Sequence, residues 1–132
     1  MKLIIFTYIT FIFISINQTY KLKEKSIEDG YEIYQDFCVR CHLNSGSGHK
    51  GKIPPLAKSD FLLKNTKESI KAIKYGLKGP LKVNSIQYNG LMESQGLDDE
   101  EIADVMNYIL NSWGNIYEEL ITPKKVLKVK KE

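Results

Sequence analysis

Cysteine, histidine and tryptophan are all scarce in this chain. Its 132 residues include two cysteines, two histidines and one tryptophan. A disulfide between Cys38 and Cys41 would close only a tiny ring and would constrain the unfolded chain little.

No internal repeat of solenoid length occurs. Four prolines, nine glycines and no long polar repeat argue against disorder. The length suits one domain, since it is too short for two independent cores.

Charge is missing from residues 3–16, LIIFTYITFIFISI, which follow Met1 and Lys2. A short basic start and an apolar run are typical of an export signal, and the run is shorter than the roughly 20 residues of a membrane span. No small-x-small cleavage site follows. We predict that residues 1–20 are a signal peptide or an uncleaved N-terminal anchor and that residues 21–132 form the folded domain. The domain is then periplasmic, or membrane-anchored and facing the periplasm, with possible membrane attachment through residues 3–16.

The net charge of +3 hides an uneven distribution. Residues 40–90 hold ten basic residues against two acidic ones, whereas residues 91–104 hold six acidic residues and no basic one. Each lysine alone reads as a solvated surface residue, but as a group they would steer an acidic partner. The cluster is not compact and the chain is exported, so we expect no nucleic-acid partner. The lysines of this segment are Lys50, Lys52, Lys58, Lys64, Lys67, Lys71, Lys74, Lys78 and Lys82.

Helical spacing of apolar residues recurs along much of the chain. It predicts a helix over about 27–40, with Ser26 as N-cap. Gly30 costs this helix about 1 kcal/mol of propensity, which is explained if another helix crosses very close to it. A short helix is predicted over 67–75, ended by Gly76.

The strongest helix signal lies near the C-terminus. Asp98 or Asp99 is the expected N-cap, with Glu101 in the capping-box position. The apolar stripe of this helix consists of Ile102, Val105, Met106, Ile109 and Leu110. Thr122-Pro123 opens a last, basic helix.

Two long stretches, residues 43–55 and 76–96, show no helical pattern and are rich in turn residues. The chain contains no convincing strand, so we predict an all-α domain with long irregular loops. Its helices are too few and too short to enclose a good core. Something other than side chains should fill the interior, and loops of this length usually bind something.

Both cysteines lie in one short motif, Cys38-Val-Arg-Cys41-His42. On a helix, offsets of three and four residues turn by about 300° and 400°, so the two thiols and the imidazole point to one side. Two thiols at this spacing can each form a thioether with a vinyl group of haem, while the imidazole reaches the iron. The motif is the c-type haem attachment signature.

Other uses of the cysteine pair are weaker. A thioredoxin-like redox pair needs a βαβ setting that this sequence lacks. A structural zinc site needs four ligands, which His42 and His49 could complete only with strain, because His42 follows Cys41 directly. A disulfide is the remaining use.

A second iron ligand is sought among Met92, Met106 and His49. Met106 is in the apolar stripe, where methionine usually fills a core, and His49 follows His42 too closely to reach the opposite face. Met92 lies in the irregular stretch and is favoured. A thioether ligand raises the reduction potential. With both axial positions filled, substrate cannot bind the iron, which favours electron transfer and not an enzyme.

The sequence resembles class I (mitochondrial-like) monohaem cytochromes c of the bacterial type over about residues 26–130. The matching pieces are Gly30 and Tyr34 before CVRCH, IPPL at 53–56, VNSIQYNGLM at 83–92 and LDDEEIADVMNYILNSWGN at 97–115. The fold implied has four to five short helices around one covalent haem c.

The resemblance also implies residue roles. Cys38 and Cys41 would hold haem covalently, His42 would be the proximal ligand and Met92 the distal one. Pro54 would offer its backbone carbonyl to the His42 ring N–H, although its neighbour Pro55 leaves that choice open.

Further implied positions lie around the haem. Leu56 would pack on it, and Gly30 and Tyr108 would meet where the terminal helices cross. Glu93 stands where the family often has proline after the methionine, which makes the Met92 loop less rigid and its bond weaker. Candidates for hydrogen bonds to the haem propionates are Tyr75, Asn84, Tyr88 and Trp113.

The function expected from the resemblance is that of an electron carrier outside the cytoplasm. Its partners would be redox proteins that dock near the exposed haem edge. Two alternatives stay open, namely a haem subunit of a dehydrogenase, oxidase or reductase complex, and a haem sensor or enzyme with a labile sixth ligand.

Overall fold

Helices dominate the part of the chain that the structure describes. A computed structural model describes the backbone of residues 2–131, so that Met1 and Glu132, the outer ends of the two predicted segments, lie outside it. Six helices and one antiparallel hairpin occur within these residues: α1 Lys2–Phe37, α2 Val39–His42, α3 Asp60–Lys64, α4 Thr66–Tyr75, β1 Leu77–Val83, β2 Ile86–Met92, α5 Asp99–Leu110 and α6 Pro123–Leu127. The predicted helical class is right, but the hairpin was not expected and α1 is 36 residues long.

The first helix starts far earlier than the sequence predicted. Ser26 is an interior residue of α1 and not its N-cap. Its hydroxyl donates to Asp104 Oδ1 at 2.5 Å and accepts from Asn107 Nδ2 at 2.8 Å. Large apolar side chains of the N-terminal half of α1 are exposed and add nothing to the core, among them Ile5, Tyr8, Phe11, Phe13 and Ile16.

No helix within residues 2–131 combines the length and the apolar character needed to span a bilayer.

Helices α1 and α5 cross at Gly30. A Cβ atom built at Gly30 would lie 2.0 Å from the Asp104 carbonyl oxygen and 2.9 Å from Tyr108 Cβ. The rings of Tyr34 and Tyr108 pack beside this point, with centroids 5.3 Å apart. The prediction that Gly30 and Tyr108 meet at a helix crossing is therefore confirmed.

The C-terminal helices begin as their sequences predicted. Asp98 caps α5 by accepting from the amides of Glu100 and Glu101, each at 2.9 Å, and its own amide donates to Glu101 Oε2 at 2.8 Å. Thr122 caps α6, which has Pro123 in its first turn. Every residue of the predicted stripe on α5 is buried, Met106 completely.

The middle of the predicted loop 76–96 is instead a β-hairpin. Leu77 pairs with Met92 and Val83 with Ile86, and the two-residue turn Asn84-Ser85 has positive φ at both positions, 49° and 66°, as a type I′ turn requires. Glycine and proline in this stretch hid the alternation of apolar residues. Proline is tolerated because a two-stranded sheet has only edge strands.

Candidate functional site

The two cysteines lie where α1 gives way to α2. Helix α1 ends at Phe37, three residues before the predicted end, and Cys38 forms the turn that leads into α2. The amides of Cys41 and His42 both donate to the Cys38 carbonyl, at 3.1 and 2.9 Å, so the motif stays tightly wound. No disulfide joins the two cysteines, of which Cys38 is half-buried and Cys41 exposed. Burial, with a smaller contribution from Cys41, raises the pKa of the Cys38 thiol to about 11.

His42 is buried and oriented by the backbone. Its Nδ1 lies 3.2 Å from the carbonyl oxygen of Pro54. A carbonyl only accepts, so Nδ1 carries the proton and Nε2 keeps its lone pair. Burial lowers the pKa of the imidazole below its ordinary value, and the bond to Pro54 offsets this in part. A neutral ring with a free Nε2 is the form that binds a metal ion. Of the two adjacent prolines, it is Pro54 that contacts His42.

Two contacts hold the chain beyond His42 in place. The Tyr34 hydroxyl donates to the Leu43 carbonyl at 2.6 Å, which ties this segment to α1. The Gly46 carbonyl accepts the amide of Leu56 at 2.7 Å. The two sides of the loop are thereby joined, and the Pro54 carbonyl is held against the imidazole.

Asn115 fixes the same loop from its other side and was not singled out from the sequence. Its side-chain amide donates to the carbonyls of Leu56 and Ile109, at 2.9 and 2.7 Å, and its oxygen accepts the amide of Lys58 at 2.8 Å. Asn115 is buried. It therefore links the end of α5 to the segment that carries Pro54. A single asparagine between helices carries no pattern that could have revealed this.

Met92 is the last residue of β2 and not part of an irregular loop. Its strand pairing with Leu77 places it beside Gly76, where a Cβ atom would lie 2.8 Å from the Met92 carbonyl oxygen. Just beyond, the Ser94 hydroxyl donates to the Lys74 carbonyl at 2.8 Å. The backbone on both sides of Met92 is thus held against the end of α4, although no proline follows it.

These elements surround one mainly apolar cavity of about 370 Å³. Five of the six predicted site residues line it, namely Cys41, His42, Pro54, Leu56 and Met92. Cys38 is packed against the adjacent core. The volume is in the range of about 300–1,000 Å³ that is usual for small-molecule and cofactor pockets. An apolar cavity with a neutral imidazole, a thioether and the Cys41 thiol in its lining, and with Cys38 three positions before Cys41 in the chain, fits a covalent haem.

The other candidate ligands lie elsewhere. Met106 is in the core and His49 is exposed, paired through its backbone with Ile53. Neither lines the cavity. Within the described residues, no three or more His, Cys, Asp or Glu side chains converge as they would around a zinc ion.

The four candidates for propionate contacts have different surroundings. Trp113 Nε1 donates to the Asn44 carbonyl, and the Tyr75 hydroxyl donates to the Val129 carbonyl, at 2.8 and 3.1 Å. Asn84 exchanges two hydrogen bonds with Asp60. Tyr88 is the only one of the four that lines the cavity, and its side chain is 4% exposed.

The cavity has lysine at its edge. Lys52 lines it and is exposed, and Lys78 and Lys82 project outward from β1. Lys74 differs, since it forms an ion pair with Asp99 at 2.6 Å.

The sequence of this chain is similar to those of known proteins. The family described as "Cytochrome c" matches residues 27–113. A cytochrome c-552 from Thermus thermophilus is 41% identical over 92 residues, which cover 66% of this chain and 70% of that protein. A second cytochrome c-552, from T. thermophilus strain ATCC 27634, is also 41% identical, and the chain spans 62% of its length. The cytochrome c subunit of the quinone-dependent alcohol dehydrogenase of Gluconobacter oxydans is 29% identical, but the chain spans only 18% of it.

Proposed function

The chain belongs to the cytochrome c family, and on that premise we propose that it is an exported electron carrier whose haem is ligated by His42 and Met92. Haem c is the cofactor of this family. Cys38 and Cys41 would form its two thioether bonds. When bound, the haem supplies an iron that takes up and releases one electron.

One observation carries the proposal. His42 and Met92 come from distant parts of the sequence, yet both line the same cavity, together with Cys41. The ring of His42 is already oriented through Pro54. A chain that only needed to bury these side chains would have filled the cavity.

Each of the chain's own groups has a definite part in this proposal. The Pro54 carbonyl holds the proton on Nδ1, so that Nε2 of His42 is the ligating atom and the imidazole becomes more basic. Leu56 and the other apolar side chains of the wall exclude water. A dry site and a thioether from Met92 both favour the reduced state. Two protein ligands leave no position for a substrate, which is why we propose a carrier and not an enzyme.

Export is part of the proposal. Lys2 and the uncharged residues 3–16 have the composition of a signal, and the described side chains of this run contribute nothing to the core. We propose that residues 1–20 direct the protein to the periplasm, where they are removed or hold the domain at the membrane.

The first prediction concerns the cofactor itself. Protein purified from the envelope should have the mass of the chain plus one haem, and the ferric form should be low-spin, with the weak absorption band of a Met–iron bond. The same mass shows whether residues 1–20 remain. A colourless protein would contradict the proposal, and a high-spin ferric form that binds carbon monoxide without denaturant would favour a sensor or enzyme instead.

A second prediction concerns the lysines. The rate of oxidation by ferricyanide, an anion, should fall about tenfold as the ionic strength rises from about 0.01 to 0.15 M, because the Debye length shrinks from about 30 to 8 Å. A cationic cobalt complex should show the opposite trend. Lys52→Glu should reduce the salt effect more than Lys124→Glu, since Lys124 is on α6 and does not line the cavity. A salt-independent rate with both oxidants would show that these charges steer nothing.

A haem subunit of a larger dehydrogenase is the second candidate function. It is favoured by the relatives named as cytochrome c subunits of alcohol dehydrogenases. Stable co-purification with a larger enzyme would support this candidate, and a free monomer that exchanges electrons in solution supports the carrier.

A further inference from the structure

Two glycines face each other in the middle of the hairpin. Gly79 of β1 pairs with Gly90 of β2, and both line the cavity. Side chains at alternate positions of a strand share one face, so Gly90 is on the same face as Tyr88 and Met92. At this one pair the wall of the cavity is bare backbone, and Gly90 is the neighbour of Met92 on that face of β2.

Glycine inside a strand needs a reason, because it weakens the strand and often marks a close approach of a ligand or another backbone. Gly79 has a backbone reason, with φ of 103°. Gly90 has none, since its φ is outside the left-handed region. A Cβ atom at Gly90 would meet only the Lys52 carbonyl oxygen, at an ordinary contact distance of 3.5 Å.

Gly30 and Gly90 differ in the space that the chain leaves for a side chain. There the protein itself forbids a side chain, because a Cβ atom would lie 2.0 Å from the Asp104 carbonyl oxygen. At Gly90 the protein has room for one. Contacts within the chain therefore do not explain the absence of a side chain at Gly90.

We propose that Gly90 is a positioning residue for the haem. The missing side chain leaves the room that the haem takes up beside Met92, and so allows the Met92 sulfur to reach the iron. This inference rests on the proposed function. If Gly90 had no such role, alanine and still more valine would strengthen the strand. The bond between Met92 and the iron would then not be weakened by either substitution.

The test compares Gly90→Ala and Gly90→Val in the haem-loaded protein. The measurement is the affinity of the ferric form for imidazole, which competes with Met92 for the iron, together with the reduction potential. We expect imidazole to bind about tenfold more tightly to the alanine variant, or about 1.4 kcal/mol, and more tightly still to the valine variant. The potential should fall in the same order.

Asn89→Val is the matched control, because Asn89 precedes Gly90 on the same strand, is exposed and does not line the cavity. Its imidazole affinity should stay within about twofold of the wild type. If the valine variant does not accumulate, the alanine variant decides. Wild-type affinity and potential in the Gly90 variants, with haem attached, would overturn this inference alone. A chain without covalent haem would overturn the proposed function.

Discussion

Met92→Ala is expected to leave the haem attached and to remove one of the two ligands that we propose for its iron. Met106 is in the core and His49 does not line the cavity, so neither can replace the lost thioether. The ferric iron should become high-spin or bind water, and the Met–iron absorption band should vanish. The reduction potential should fall by on the order of 0.1–0.3 V, within the roughly 0.8 V over which axial ligands set haem potentials. Optical spectroscopy, electron paramagnetic resonance and a redox titration measure these changes.

Met106→Leu is the control for this substitution. It also removes a thioether, but it nearly conserves the volume of a completely buried side chain, so its effect on stability should stay below about 1.5 kcal/mol. Its spectrum and potential should match the wild type. Met92 would not be the iron ligand if its alanine variant kept the spin state and potential of the wild type.

Gly30→Ala is expected to destabilise the haem-loaded protein strongly. Helix propensity alone predicts a gain of about 1 kcal/mol. The added methyl group, however, would lie 2.0 Å from the Asp104 carbonyl oxygen. Since this atom belongs to the backbone of α5, the two helices must move apart. We expect a net loss near the upper end of the overpacking range, about 3 kcal/mol, and a melting temperature roughly 10 °C lower.

Glu32→Ala serves as the comparison, since Glu32 is exposed on the same helix. Its free energy of unfolding should change by no more than about 0.5 kcal/mol. Thermal unfolding followed by circular dichroism measures both variants. A Gly30 variant more stable than the wild type would show that the helices do not cross as closely as described.

The parts of the fold that the sequence predicts are those decided by local chemistry. The cap and stripe of α5 and the Thr122-Pro123 start of α6 need only neighbouring residues. Gly30 was also readable, because a costly glycine within a helical pattern implies a close neighbour. The start of α1 could not be predicted in this way. Ser26 is a residue type that often caps helices, but its hydroxyl is hydrogen-bonded to Asp104 and Asn107.

The hairpin was missed because its signals are mixed. Asn84-Ser85 is a weaker turn signal than Asn-Gly, and Gly79, Pro80 and Gly90 interrupt the alternation of apolar residues. Gly79 has the positive φ that its place in the strand requires, and Gly90 is, as we propose, bare because of the haem. A sequence rule that treats glycine as a breaker therefore fails at the site itself.

For the site, the motif and Met92 could be found by residue type and spacing, and the contact of Pro54 followed from the family resemblance. Asn115 could not be found in this way, because its partner at Leu56 is 59 positions away. Such a contact depends on how the finished helices are placed, and no local pattern encodes it.

The crossing at Gly30 also has an entropic cost. Gly30 and Asp104 are 74 positions apart. Closing a loop of that length costs roughly 4 kcal/mol of chain entropy before the contact contributes any stabilisation. The hairpin, closed by a turn of two residues, has almost no such barrier. Chain entropy therefore opposes the helix crossing far more than the hairpin, and the close packing of the two helices around Gly30 has to offset that cost.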